Sequence, residues 1–219
     1  MAFRTARPMI RRLFPVWPTV AVIIGLYIVE NAWASILLYH AGTLVAAWAS
    51  PGAWAKLRKG FDPFWAAAAI PIGLGTFLAI RMLLPFLAGM EANELWSGLR
   101  DRLADLGLSG PGLIGFFAYF VTVHPVLEDV AWHGVLKPQE KLDHTLFPRS
   151  SDLSFALYHV PVLLRIFPDG YGLAVLSFLV LVISSITWRK IAKCTGGLQT
   201  VVVQHATSDA AILAAVLWP

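Results

Sequence analysis

Six stretches of the chain, at about 17–39, 63–85, 111–136, 151–167, 170–188 and 198–217, are apolar over lengths mostly sufficient to cross a bilayer as helices. A backbone in hydrocarbon must satisfy its own N–H and C=O groups, so these runs predict helices. Hydrophobic residues make up 58% of the 219 and charged residues only 14%, with a mean hydropathy of +0.68, which exceeds what a soluble domain of this length shows. The expected fold class is therefore all-α, a polytopic transmembrane helix bundle. It forms a single domain over 17–219 behind a basic cytoplasmic N-terminus at 1–16. The first apolar run is long and lacks a small-residue cleavage signature, so it reads as an anchor rather than a removed signal peptide. Cys194 is the only cysteine, which excludes an internal disulfide. The sequence pI near 9.4 is accounted for by juxtamembrane Lys and Arg, and calls for no nucleic-acid partner.

The basic residues also orient the chain. With a single crossing in 17–62 the loop charges divide almost evenly and six crossings result. With two short segments in 17–55, turning near His40 to Gly42, thirteen basic residues fall on one side: Arg4, Arg7, Arg11, Arg12, Lys56, Arg58, Lys59, Lys137, Lys141, Arg149, and the 189–193 loop with Arg189, Lys190 and Lys193. Only Arg100, Arg102 and Arg165 fall on the other. The positive-inside rule then predicts seven crossings with a cytoplasmic N-terminus; the expected location is the inner (cytoplasmic) membrane. Between the third and fourth crossings, Leu95, Leu99, Leu103 and Leu106 recur at helical spacing opposite Glu, Asp and Arg, which predicts an amphipathic surface helix ended by SGPG. Trp17, Trp65, Trp188 and Trp218 near span ends fit an interfacial belt. His40 and His144 fall in expected loops. Glu30 and Arg81 are candidates for an intramembrane ion pair, and Arg165 with Asp169 reads as an ordinary span end.

The ionisable residues left inside spans carry the functional information, since each costs several kcal/mol in hydrocarbon unless it faces protein or water. HPVLEDVAWHGVL, at 124–136, holds His124, Glu128, Asp129 and His133; His124 pairs with Glu128, and Asp129 with His133, at a spacing of four on one helix. SFALYHVPV places Phe155 and His159 on one face of the next crossing, and VVVQHATSD does the same for His205 and Asp209 in the last. Three helices thus bring polar faces to a similar depth, near the basic side, and one converging site explains all three. Lone intramembrane histidines commonly satisfy helix-packing hydrogen bonds, a reading that stays open for His124 and His133.

These motifs resemble the CPBP intramembrane proteases, a family that includes CAAX-processing endopeptidases and bacteriocin-processing or self-immunity proteins. The family pattern is Glu-Glu-x-x-x-Arg, then Phe-x-x-x-His, then His-x-x-x-Asn on successive helices. Here Glu128-Asp129-Val130-Ala131-Trp132-His133 stands at the first, Phe155 to His159 matches the second, and TGGLQTVVVQHATSD ends at His205 and Asp209 as the third. The ordered likeness covers a motif core of 111–213, about half the chain. Asp129 replaces the second Glu, His133 replaces Arg, and Asp209 replaces Asn.

The resemblance implies hydrolysis of a peptide bond within the membrane. Glu128 would be the general base on a water, His159 would orient that water, His205 would stabilise the oxyanion, and Asp209 would either fix the His205 tautomer or be protonated. Asp129, His124, His133 and Phe155 would support them. Glu128, His159, His205 and Asp209 also make a plausible zinc set. The implied substrate is a membrane-anchored or lipid-modified protein or peptide, cut near its C-terminus or at a leader, with the site toward the cytoplasmic side. The alternative is an inactive relative that uses the same bundle as an assembly or partner-binding factor, since His133 and Asp209 depart from the pattern.

Overall fold

The computed structural model describes residues 9–10, 12–50, 52–136 and 147–217; Arg4, Arg7, Arg11, Lys137, Lys141, His144 and Trp218 lie outside the described residues. Among the described residues there is no strand. The chain forms α1 (Phe14–Ile28), α2 (Ala32–Trp48), α3 (Pro63–Leu87), α4 (Ala92–Asp105), α5 (Gly110–Val135), α6 (Ser150–Ile166), α7 (Tyr171–Thr195) and α8 (Gln199–Leu217). Four of these, α3, α5, α7 and α8, are long and apolar enough to cross a membrane. Their outer faces display Ile70, Met82, Phe86, Ile114, Val175 and Ile183, a surface suited to lipid rather than water. The amphipathic helix is present as α4. It buries Leu95, Trp96 and Leu99 against Leu84 of α3, while Leu106 joins the main core.

Residues 17–55 hold two helices, but the turn between them is not at His40 to Gly42. It lies at Glu30, whose φ of 54° makes it the one described non-glycine residue with left-handed backbone, followed by Asn31. The Asn31 side chain accepts the Ala34 N–H at 3.0 Å and so caps α2. Gly42 serves packing instead. A Cβ there would lie 2.0 Å from the Trp17 indole nitrogen, and that nitrogen donates to the Leu38 carbonyl at 3.0 Å. His40 consequently sits inside α2 with 2% of its surface exposed, not in a solvated loop.

Three further expectations are corrected. Glu30 meets Arg165 at 3.1 Å on the exterior, and Arg81 instead donates to the Ala215 carbonyl and lies 4.7 Å over the Trp96 ring. Arg165 is therefore a tie between the α1–α2 turn and α6 rather than a plain span end. The expected 189–193 loop is helix, because Arg189 has a buried partner. Its guanidinium meets Asp152 at 2.9 Å, Ser185 donates to the same carboxylate at 2.7 Å, and the Arg149 backbone N–H donates to it at 3.0 Å. This cluster pins α7 to the start of α6.

The glycine pair before α8 has an equally local cause. The N–H groups of Leu198, Gln199 and Thr200, which a helix start leaves without partners, donate to the carbonyls of Lys56, Lys59 and Gly60 at 3.0, 3.2 and 3.3 Å. A Cβ on Gly197 would stand 2.1 Å from the Lys59 carbonyl oxygen. Gly197→Ala is expected to push the two segments apart and cost about 1–3 kcal/mol, read as a lower unfolding midpoint in detergent. An unchanged midpoint would show that the close approach is dispensable.

Candidate active site

The main core gathers Ile36 and Tyr39 of α2, Val130 and Trp132 of α5, Phe155 and Tyr158 of α6, and Val201 of α8. α5 delivers Glu128 to its centre with no exposed surface. The segment His124–Asp129 is regular α-helix, and the following turn, Val130–Val135, widens to a π-helix. The i,i+4 pairs anticipated from spacing are present: His124 Nε2 lies 3.1 Å from Glu128 Oε2, His133 Nε2 3.4 Å from Asp129 Oδ1, and His205 Nε2 3.7 Å from Asp209 Oδ2.

α8 closes the arrangement. His205 Nε2 lies 3.2 Å from Glu128 Oε2, and its Nδ1 lies 3.5 Å from Asp129 Oδ2. The ring stacks on Trp188 of α7, with centroids 4.4 Å apart. Trp188 thus faces the site rather than an interfacial belt. His133 reaches Asp129, and its backbone carbonyl accepts from Lys56 at 3.2 Å. Lys56 is half-buried there, and that burial lowers its pKa. Phe155 supplies a wall, edge-on to Trp132 and Trp188 and 5.1 Å from the His159 ring.

His159 is placed differently from the other motif residues. Its Nδ1 is 2.8 Å from the Phe155 carbonyl of its own helix, so Nδ1 carries the proton and Nε2 holds the lone pair. The ligand atoms that close to within 4.8 Å of one another belong to His124, His205 and Asp209. Among the described residues this group shares His205 and Asp209 with the zinc set anticipated from sequence, Glu128, His159, His205 and Asp209.

Sequence reasoning missed the residues that hold the other carboxylate oxygen. Tyr39 of α2 donates to Glu128 Oε1 at 2.8 Å, Tyr158 of α6 donates to the same oxygen, and the Trp132 indole N–H donates to the Tyr39 hydroxyl at 2.9 Å. It also missed His40, whose Nε2 lies 3.0 Å from His124 Nδ1 and whose Nδ1 lies 2.6 Å from the Tyr119 hydroxyl. The adjacent Tyr39 and His40, and Tyr158 beside His159, were the available signals: hydrogen-bonding side chains in apolar helices.

Chemically, the centre offers a carboxylate with one oxygen tied by two phenols, and a second oxygen facing two imidazoles. Such a group can accept a proton from a water held beside it, while the flanking rings orient the reacting oxygen or stabilise charge on it. No family model, curated protein or solved structure matches this chain.

Proposed function

We propose that this chain is an intramembrane endopeptidase in which Glu128 activates a water for attack on a peptide bond. The observation that carries the reading is the placement of Glu128 Oε2 within 3.2 Å of imidazole nitrogens from two helices, in a fully buried centre. Glu128 takes the proton of the water through Oε2, and the resulting hydroxide adds to the carbonyl carbon. His205, whose Nε2 faces the same space, stabilises the oxyanion; the C–N bond then breaks and the proton passes to the leaving amine. His159 Nε2, with its lone pair free, accepts from the water and orients it. The ordered resemblance to the CPBP proteases over 111–213 supports the same assignment.

The reading extends to topology. The seven apolar helices cross the membrane and α4 lies at its surface. The N-terminus and the site face the cytoplasm, where the basic loops lie. The substrate is a membrane-anchored or lipid-modified protein or peptide cut near its C-terminus or at a leader.

The test compares the termini of membrane proteins in cells with and without the chain. The expected result is a small set of proteins that keep an uncut terminus when the chain is absent. Identical termini in both would remove the support for proteolysis.

A further inference from the structure

His40 is buried within α2, and both of its ring nitrogens find partners on α5. Nδ1 lies 2.6 Å from the Tyr119 hydroxyl, and Nε2 lies 3.0 Å from His124 Nδ1. The other nitrogen of His124, Nε2, lies 3.1 Å from Glu128 Oε2. Four side chains therefore stand in an unbroken line, from the half-buried Tyr119 to the fully buried Glu128. Hydrolysis by Glu128, His159 and His205 alone uses neither Tyr119 nor His40.

The order of protons along this line follows from its outer end. Among the described residues the Tyr119 hydroxyl has His40 Nδ1 as its hydrogen-bond partner, and a phenol in an apolar helix keeps its proton paired rather than stranded. Tyr119 therefore donates to Nδ1. The His40 proton is then on Nε2 and goes to His124 Nδ1, which leaves the His124 proton on Nε2. The opposite order would set an imidazole lone pair against a carboxylate oxygen at 3.1 Å and leave the phenol without an acceptor. Stacking holds the rings in this register: Phe120 lies on His124 with centroids 4.3 Å apart, and Tyr39 and Tyr119 flank His40 at 5.2 and 5.5 Å.

The inner end of the line is a donor without a bonded acceptor. His124 Nε2–H is not aligned on Glu128, whose Oε2 has no hydrogen-bond partner among the described residues. His205 Nε2 stands 3.2 Å from the same oxygen, so two imidazoles from two helices border one small space beside the carboxylate. Peptide hydrolysis requires two separate services there: a donor for the oxyanion, and a proton for the nitrogen that leaves. With His205 on the oxyanion, His124 has the remaining proton.

We propose that Tyr119 and His40 are positioning residues that fix the tautomer of His124, so that its Nε2–H acts as the general acid on the leaving amine. The inference rests on the hydrolytic reading for its chemistry, whereas the order of protons from Tyr119 to His124 is independent of it. Glu128 Oε2 takes a proton from water, and the hydroxide oxygen bonds the carbonyl carbon. As the C–N bond breaks, the nitrogen takes the proton of His124 Nε2. Glu128 then returns the proton it took from water to the emptied Nε2, and both groups are as they began. His40 keeps its proton on Nε2 throughout, and the bond it makes to His124 Nδ1 holds the inward nitrogen as the one that cycles. A buried partner on the outer nitrogen of a catalytic imidazole does the same work where a carboxylate supplies it; here a second imidazole and a phenol supply it.

The experiment uses the full chain with isotopically labelled histidine rings, reconstituted in lipid, and nitrogen NMR of His124, whose signals are assigned by their loss in His124→Gln. In the unsubstituted chain Nδ1 is expected to resonate as a lone-pair nitrogen and Nε2 as a protonated one. His40→Phe and Tyr119→Phe should each yield a mixture of tautomers, and His40→Gln should keep the single one, because its amide carries both a donor and an acceptor. Cleavage of a membrane-anchored peptide should follow the same order: kcat falls about 10²–10⁴-fold in His40→Phe with KM little changed, and His40→Gln recovers most of the loss. A protonated Nδ1 on His124 in the unsubstituted chain would overturn the inference without any variant. Equal losses in His40→Phe and His40→Gln, with one His124 tautomer in both, would make His40 a packing residue and overturn it too. Cleavage at full rate by His40→Phe would refute the role of His40 and leave hydrolysis by Glu128 standing. An unsubstituted chain that shows the expected tautomer and cuts no peptide would do the reverse.

Discussion

Glu128→Gln is expected to lower turnover of a membrane-anchored peptide by about 10²–10⁴-fold, the usual contribution of a positioned general base. The substitution isolates the chemistry because glutamine keeps the shape and the acceptor at Oε1, so the hydroxyls of Tyr39 and Tyr158 retain their partner. At the other position an amide nitrogen replaces Oε2; it donates hydrogens and accepts no proton from water. The core should pack as before, with an unfolding midpoint close to that of the unsubstituted chain, while single-turnover cleavage in proteoliposomes collapses. Cleavage at an unaltered rate would remove Glu128 from the reaction. Absence of cleavage by the unsubstituted chain as well would favour an assembly or partner-binding factor instead.

Asp152→Ala is expected to destabilise the protein by about 3–5 kcal/mol, the penalty of stranding one member of a buried ion pair. Arg189 is 6% exposed and its Nη2 donates to Asp152 at 2.9 Å; with the carboxylate gone, the Phe147 carbonyl at 3.3 Å is what remains to it among the described residues. Ser185 loses its partner as well. The double substitution Asp152→Leu with Arg189→Met should recover most of the loss, since apolar residues of similar size replace a pair whose desolvation already offsets its attraction. Unfolding midpoints of the two variants in the same detergent decide the matter. A double variant as unstable as the single one would show that the charges themselves hold α6 to α7.

The helices and the centre were largely legible because hydrocarbon punishes polar groups so heavily. Glu128, His205 and their i,i+4 companions stand out in apolar runs, and helical spacing alone gave the contacts at 3.1, 3.4 and 3.7 Å. What escaped were residues whose chemistry depends on a partner far along the chain. Tyr39 and Tyr158 look like ordinary membrane aromatics until Glu128, 89 and 30 residues away, is placed between them. Gly42 resembles a turn signal, yet it is a notch for Trp17, whereas the real turn at Glu30 is a left-handed conformation that a glutamate gives no reason to expect. Arg189 counted as a loop charge for the same reason: nothing near it in sequence reveals the Asp152 that lets the helix continue. For His159, the carbonyl of Phe155 decides which nitrogen it offers, and spacing alone does not show that bond.

The two phenols on Glu128 have a stereochemical consequence. With Oε1 occupied on the side of α2 and α6, only Oε2 is free to handle a proton, and it looks toward α8. A water activated there approaches an amide carbonyl from a fixed direction, so for the hydrolysis proposed here one prochiral face of the scissile bond is presented and the other is not. A substrate strand running in the opposite direction would offer the wrong face, and selectivity for chain polarity would follow from how a single carboxylate is held.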